Sequence, residues 1–241
     1  MIKVLGINGS TRKGANSQFL LEHAMRGAQD AAKDVSAEMY NITGKKFAGC
    51  LNCGKCAELK GECVLKDDFQ ELRDKWVGSD VILYSLPVFH MSMPGQIRCF
   101  IDRLGNTQFC YYDMAVPRVM KVIGGITQGV HLFSGQEQVL TAISNHAMVM
   151  GSLYTNGDLW ESYAGAGGWT NNEMDKDALK KAYERNELDA VTAVKAAYSV
   201  GRRSTELALL LHSGARARPD IVGSQETYKA FAARINETTP N

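Results

Sequence analysis

Short apolar runs alternate with stretches of helical spacing along this chain. Ile2–Leu5 is a mostly apolar run closing at Gly6. Leu20, Leu21, Ala24, Met25, Ala28 and Ala32 then recur on one helical face within Ser17–Lys33. Val35, Ala37 and Met39 alternate with polar residues and predict a second strand. Asp67 and Asp68 stand where a helix start favours acids, and Phe69, Leu72 and Trp76 follow as a helical stripe. Val81–Leu86 predicts a third, fully buried strand, Pro94–Leu104 a helix, and Val119–Ile126 a fourth strand closed by Gly124–Gly125. Ser134 and Glu137 form a capping box ahead of Val139, Leu140, Ile143 and Ala147. Gly151–Thr155 is a weaker fifth strand, and the stretch with Gly165, Gly167 and Gly168 reads as a loop. Asp175–His212 is helical with a break near Asn186, and the tail after Gly214 holds one short helix around Glu226–Ala233.

Strands separated by helices predict an α/β fold: a doubly wound, five-stranded parallel sheet with helices on both faces and right-handed crossovers. Such sheets bind ligands beyond the carboxyl ends of their strands, where the strand order reverses. The loops after the first, third and fourth strands therefore hold the candidate chemistry.

The first of these loops is Gly6-Ile-Asn-Gly9-Ser10-Thr11-Arg12-Lys13-Gly14-Ala15-Asn16-Ser17. A strand, a loop of small residues and a helix aim free backbone N–H groups and the positive end of the helix dipole at one point. Ser10, Thr11, Asn16 and Ser17 add neutral donors and Arg12 a charge. Ala15 and Asn16 stand where a nucleotide-triphosphate loop needs Lys and Ser/Thr, and the glycines lack dinucleotide-fold spacing. A single terminal phosphate, as on FMN, suits what remains; a simple glycine turn with a helix cap is the plainer reading. After the third strand, Pro87-Val88-Phe89-His90-Met91 joins apolar contact to backbone donors, as a flat isoalloxazine requires. Taken by itself, the loop reads more simply as ordinary packing under the helix that follows. Gly124–His131 closes the other side. His90 and His131 are acid–base candidates, although a lone loop histidine is more often a surface or hydrogen-bonded residue.

Cys50, Cys53, Cys56 and Cys63 are spaced C-x2-C-x2-C-x6-C, four thiols within fourteen residues. Three close cysteines and a fourth are the pattern of [4Fe-4S] ligation. With no second set in the chain, all four serve one cluster on this reading. A structural zinc or four reduced thiols are the other readings. Zinc loops usually come as two C-x2-C knuckles with a longer spacer. Cys99 and Cys110 read as small apolar packing residues. The reading requires the thiol segment and the flavin ring to share a small pocket, close enough for electron transfer.

Composition narrows the classes. The 241 residues carry 27 basic and 26 acidic side chains, for a net charge of +1, which removes the electrostatic case for nucleic acid or an anionic membrane as partner. No apolar run approaches a membrane span, and the opening residues read as a strand rather than a secretory signal, so the expected location is cytoplasmic. Six cysteines there are expected to be free of disulfides.

Gly6-x-Asn8-Gly9-Ser10-x-Arg12-x-x-x-Asn16-Ser17 resembles the NADPH-dependent FMN reductase branch of the flavodoxin-like superfamily. So do the Pro-Val-Phe loop leading to Pro94-Gly95-Gln96 and Phe100-Ile101-Asp102-Arg103, and Gly135-Gln136-Glu137. With its cysteine motif the chain is similar to the iron–sulfur flavoproteins in particular, over about residues 1–210. The resemblance implies the strand order 2-1-3-4-5, with a flavodoxin-like unit over 1–213, a cysteine loop over 46–65 and a tail over 214–241. It implies that Ser10, Arg12, Asn16 and Ser17 hold the FMN phosphate. Pro87, Val88, Phe89, His90 and Met91 would lie on the isoalloxazine, Gly125 and Thr127 at its far edge, and the four cysteines on the cluster. It also implies a homodimer or homotetramer, with the cluster of one subunit near its neighbour's flavin. The donor would be NAD(P)H or a one-electron carrier such as ferredoxin, the acceptor a small molecule, and the cofactors rather than any side chain would carry the catalysis. Within the pattern, His90-Met91 stands where an aromatic residue is common. A cluster-free NAD(P)H-dependent FMN or quinone reductase and a non-catalytic redox sensor are the alternatives.

Overall fold

The structure, a computed structural model, describes residues 1–116 and 118–237. Its strands are β1 (Ile2–Asn8), β2 (Val35–Asn41), β3 (Val81–Pro87), β4 (Val122–Gly129), β5 (Leu153–Thr155) and β6 (Ala166–Trp169). The helices are α1 (Asn16–Asp30), α2 (Lys55–Glu58), α3 (Phe69–Gly78), α4 (Gly95–Tyr111), α5 (Gln136–Val149), α6 (Ala178–Glu184), α7 (Leu188–Ala217), α8 (Pro219–Val222) and α9 (Lys229–Glu237). The sheet is parallel in the order β2-β1-β3-β4-β5, the flavodoxin-like order.

Burial explains the order. Every residue of β4 and all of β3 but Pro87 are buried, as expected of central parallel strands covered on both faces. β2 alternates half-buried Val35, Ala37 and Met39 with exposed Ser36 and Glu38, the pattern of an edge. One core lies between the sheet and α3, α4 and α5, around Trp76, Tyr84, Phe100 and Ile143. The other lies under α1, α6 and α7, around Leu20, Leu83, Val122 and Val200. α1 and α7 cross in backbone contact. A Cβ on Gly27 would lie 2.1 Å from the Tyr198 carbonyl oxygen, and one on Gly201 1.9 Å from that of Ala24.

Several boundaries differ from the sequence reading. β4 begins and ends three residues later than expected, and Gly124–Gly125 sit inside it. Their missing side chains make room for Val200 and Ser204 on one face and for Tyr154 and Leu140 on the other. The glycine-rich stretch read as a loop is β6, which pairs with the second half of β4 as β5 pairs with the first. The sheet edge is thus one strand position filled twice, with residues 156–165 looping out between. Gly165, at φ 110°, lets that chain pass close to the Gly125 carbonyl. α5 starts from Gly135 in a left-handed conformation, not from a Ser134–Glu137 box; Gln136 Oε1 accepts the Ser134 N–H instead. The break at Asn186, with φ 58°, separates α6 from α7.

α7 runs through position 213, and the chain beyond it returns to the sheet. Phe231, Arg234 and Ile235 of α9 are buried. Arg234 Nε lies 3.2 Å from Asp80 Oδ1, and His212 Nε2 reaches the same oxygen at 3.2 Å. The last four residues of the expected tail lie outside the described residues.

Candidate functional site

The carboxyl ends of β1, β3 and β4 are stitched side by side. The Gly9 N–H donates to the Ser85 carbonyl at 2.9 Å, the Ser85 hydroxyl to the Ser17 carbonyl at 2.7 Å, and the Val88 N–H to the Gln128 carbonyl at 2.8 Å. α1 opens at this edge. Its N-cap is Ala15, with no side-chain cap and no acid in the first turn, so its positive end is left for an outside anion. Buried Ser10 braces the loop: its hydroxyl bonds the Arg12 N–H and carbonyl, both at 3.1 Å. Arg12 is exposed and donates to the Met174 carbonyl at 3.0 Å. Gly14, at φ 66°, faces open space. Ser17 is buried in the first turn of α1. The Asn16 amide is engaged inside the protein: it donates to the Asp175 carbonyl at 3.2 Å and accepts the Leu179 N–H at 3.0 Å, tying α6 to the loop.

After β3 the chain makes a tight reversal. Phe89 and Ser92 exchange both backbone hydrogen bonds at 2.9 Å, and His90 and Met91 form the turn with φ of 48° and 58°. Two positive-φ residues define a type I′ turn, which normally takes Asn-Gly. A β-carbonless residue is needed opposite: a Cβ on Gly135 would lie 2.4 Å from Met91 Cα, so the start of α5 abuts this turn. Phe89, His90 and Met91 are exposed, while Pro87 and Val88 are half-buried. Gly125 and Thr127 lie within β4, both fully buried. Gly125 packs under the Tyr154 ring, whereas the Thr127 hydroxyl has no hydrogen-bond partner among the described residues. A buried hydroxyl without a partner costs free energy that a bound polar group recovers. With the uncapped α1, that orphan fits a flavin lying across the strand ends. His131 sits in the loop after β4 with its Nδ1 bonded to Asn172 Oδ1, and it is exposed.

The cysteine loop forms a second feature. Cys50, Cys53, Cys56 and Cys63 all line one cavity of about 240 Å³, closed on its far side by α4. Three residues of α4 at positions i, i+3 and i+7 each reach a different sulfur. Arg103 Nη2 donates to Cys63 Sγ at 3.4 Å, Asn106 Nδ2 to Cys50 Sγ at 3.4 Å, and Cys110 Sγ lies 3.5 Å from Cys56 Sγ. The Asn52 N–H adds a second bond to Cys50 Sγ at 3.4 Å. Arg103 is buried and fixed by Asp67 through Nη1, at 2.7 and 2.8 Å. Burial pushes the Asp67 carboxyl up, but the guanidinium and the N–H groups of Ala48 and Phe69 outweigh it and hold it below the usual range. As a free thiol Cys56 is pushed up to about 11, by burial first and then by its contact with Cys110.

Among the described residues no group of three or more metal-binding side chains is preassembled around one point. The four cysteines line one cavity, and N–H donors reach Cys50 and Cys63, a lining that fits a cluster and its outer hydrogen bonds. Sequence reasoning missed Arg103, Asn106 and Cys110 as parts of this site; the only available signal was their i, i+3, i+7 spacing. Within one chain, no residue of the 10–17 or 87–91 loops lines the thiol cavity. The phosphate loop and the turn sit at the sheet end near the start of α4, and the thiols lie along its second half.

Residues 2–160 match the family described as NADPH-dependent FMN reductase. The chain belongs to the NADPH-dependent FMN reductase family. It is therefore a flavin-dependent oxidoreductase with the flavodoxin-like fold. An iron-sulfur flavoprotein of Archaeoglobus fulgidus is 36% identical over 103 residues, which span 43% of this chain and 46% of that protein, about half its length. An iron-sulfur flavoprotein of Methanosarcina thermophila is 26% identical over 186 residues, 76% of this chain and 91% of that protein. Among solved structures, an azoreductase of Bacillus anthracis superposes with a TM-score of 0.58 at 12% identity, covering 84% of this chain and 100% of that one; the likeness is one of fold. Among the described residues of this FMN reductase family member, no helix is long and apolar enough to cross a membrane.

Proposed function

We propose that this FMN reductase family member carries a [4Fe-4S] cluster on Cys50, Cys53, Cys56 and Cys63 and relays electrons between it and FMN. The observation that carries the reading is the single cavity that all four loop cysteines line, three of them met by α4 side chains. When bound, FMN supplies two-electron exchange with hydride donors and the cluster one-electron exchange with carriers. The protein's part is to hold and tune. The first turn of α1, with Ser10, Arg12 and Ser17, receives the phosphate of the flavin, and Asn16 keeps α6 against that loop. Pro87, Val88, Phe89, His90 and Met91 cover the ring, Thr127 donates its orphan hydroxyl at the edge, and Gly125 admits the Tyr154 ring beneath. Arg103 and Asn106 hold N–H groups on Cys63 and Cys50, which favours the electron-rich state of a cluster bound there.

The electron donor on this reading is NAD(P)H or a ferredoxin-class carrier, the acceptor is a small molecule, and the working unit is a homodimer or homotetramer in the cytoplasm. The likeness to iron-sulfur flavoproteins supports the cluster, and the family supports FMN. The test is anaerobic purification with assays for iron, acid-labile sulfide and FMN, and visible and EPR spectra before and after dithionite. About four irons and one FMN per chain are expected, with the iron lost in Cys53→Ser. Flavin without iron, and quinone reduction untouched by Cys53→Ser, would establish the cluster-free reductase instead. Both cofactors with no turnover on any donor would establish the redox sensor.

A further inference from the structure

Of the three α4 side chains that meet the thiol loop, two offer N–H groups and one offers a sulfur. Cys110 Sγ stands 3.5 Å from Cys56 Sγ, and all six cysteines are free. The approach is fixed by the backbone as well as by the side chains. The Gly61 N–H donates to the Cys56 carbonyl at 2.8 Å, which pins the end of α2 to Gly61. Gly61, at φ 92°, is buried against α4, where an added Cβ would lie 2.8 Å from Tyr111 Cβ and 2.9 Å from the Thr107 carbonyl oxygen. The turn that follows Cys56 is therefore clamped onto the turn of α4 that carries Cys110. A disulfide needs the sulfurs at about 2.05 Å, so a closure of roughly 1.5 Å is required. α2 has four residues and leaves Gly54 in a left-handed conformation, so the loop side has the freedom to supply it.

We propose that Cys56 and Cys110 are a reversible thiol pair that forms a disulfide when no cluster occupies the loop, withdrawing Cys56 from the ligand set until it is reduced. The consequence for loading rests on the cluster reading above; the bond itself does not. The step balances as an exchange with a small disulfide. The thiolate of one cysteine attacks a sulfur of the oxidant and releases one thiol. The second cysteine then attacks the mixed disulfide and releases the other thiol. Two protein thiols are oxidised, two small thiols are formed, and the protons pass to them. With a cluster bound, Cys56 is on iron and Cys110 remains a thiol beside it.

The test uses the full chain, flavin-loaded and stripped of iron under reducing anaerobic conditions, then treated with glutathione disulfide. Titratable thiols are expected to fall from six to four. Peptide mapping is expected to find the Cys56 and Cys110 peptides joined and no glutathione attached, with dithiothreitol restoring all six. The oxidised protein should then take up no iron from iron and sulfide until reduced, while Cys110→Ser treated in the same way loads without reduction. A cross-link between two loop cysteines, or glutathione left on Cys56 with Cys110 still free, overturns the proposal. If the fully reduced chain takes up no iron at all, the cluster reading fails, and the joined peptides still decide the thiol pair on their own.

Discussion

Replacing Arg103 with methionine tests whether α4 organises the thiol loop. The side chain is 1% exposed, and its guanidinium spans four elements of that loop: both Asp67 oxygens, the Leu65 carbonyl at 2.9 Å, the Ala48 carbonyl at 3.3 Å and Cys63 Sγ. Methionine fills much of the volume but leaves Asp67 without its cation. Removing one partner of a buried ion pair costs about 3–5 kcal/mol. Asp67 keeps the N–H groups of Ala48 and Phe69, at 2.8 and 3.0 Å, and its side chain is 14% exposed, so about 3 kcal/mol is expected. The assay is urea unfolding of the iron-free chain, with the midpoint and the slope measured separately. The double change Arg103→Met with Asp67→Asn should recover part of the loss, because no uncompensated carboxylate remains. A loss below about 1 kcal/mol at unchanged slope, or a double variant as unstable as the sum of the singles, would refute the account of Arg103 as the loop's buried clamp.

Acid should weaken the fold through His146. Burial first, then the Arg98 charge, lowers its ring to about 4, and its Nε2 meets the Tyr84 hydroxyl at 3.3 Å. The unfolded ring takes up a proton near pH 6.5, so stability falls by about 3 kcal/mol between roughly pH 6.5 and 4. His146→Gln should flatten that slope in stability-against-pH curves; an unchanged slope would place the acid sensitivity elsewhere. At the α1–α7 crossing, Gly201→Ala drives a Cβ into the Ala24 carbonyl and should cost about 3 kcal/mol. In the same helix Gly214→Ala meets nothing within 4 Å and should gain up to about 1 kcal/mol, and thermal unfolding of the pair checks the opposite signs.

Much of the fold can be read from the chain because parallel strands advertise themselves as apolar runs. Val81–Leu86 sits centrally for that reason, and the alternation through Met39 marks an edge. The failures cluster where glycine serves packing rather than turning. Gly124 and Gly125 look like the end of a strand but are its middle, since Val200, Ser204 and Tyr154 need the space. Gly167 and Gly168 look like a loop but pair with Thr127 and Gln128. α4 was expected to end near Leu104, where its apolar stripe thins. It runs on to Tyr111 because Arg103, Asn106 and Cys110 face thiols there instead of a hydrocarbon core. Nothing local links Cys110 to a loop more than fifty residues earlier, so only the folded chain shows the contact.

α4 also sets the distance problem that any electron relay in this protein must solve. It begins at Gly95, just after the turn expected to cover the flavin, and meets the thiol loop at Arg103 through Cys110. At about 1.5 Å per residue, those contacts lie roughly 12 to 23 Å along the helix axis from its start. The thiol cavity shares no lining residue with the flavin loops of the same chain. In its lining, Leu51 and Met114 expose apolar side chains, and Phe89, Leu132 and Phe133 do so after β3 and β4. On the proposed reading, two such surfaces separated along a helix would suit a route in which the cluster site of one copy faces the flavin site of another, and a dimer would then be a condition of the electron path. A monomeric form should hold both cofactors and pass electrons between them slowly, and a dimeric form rapidly. Concentration-dependent flavin reduction by a one-electron donor, followed by stopped flow, distinguishes them: a rate that does not change as the dimer dissociates would require a path within one chain.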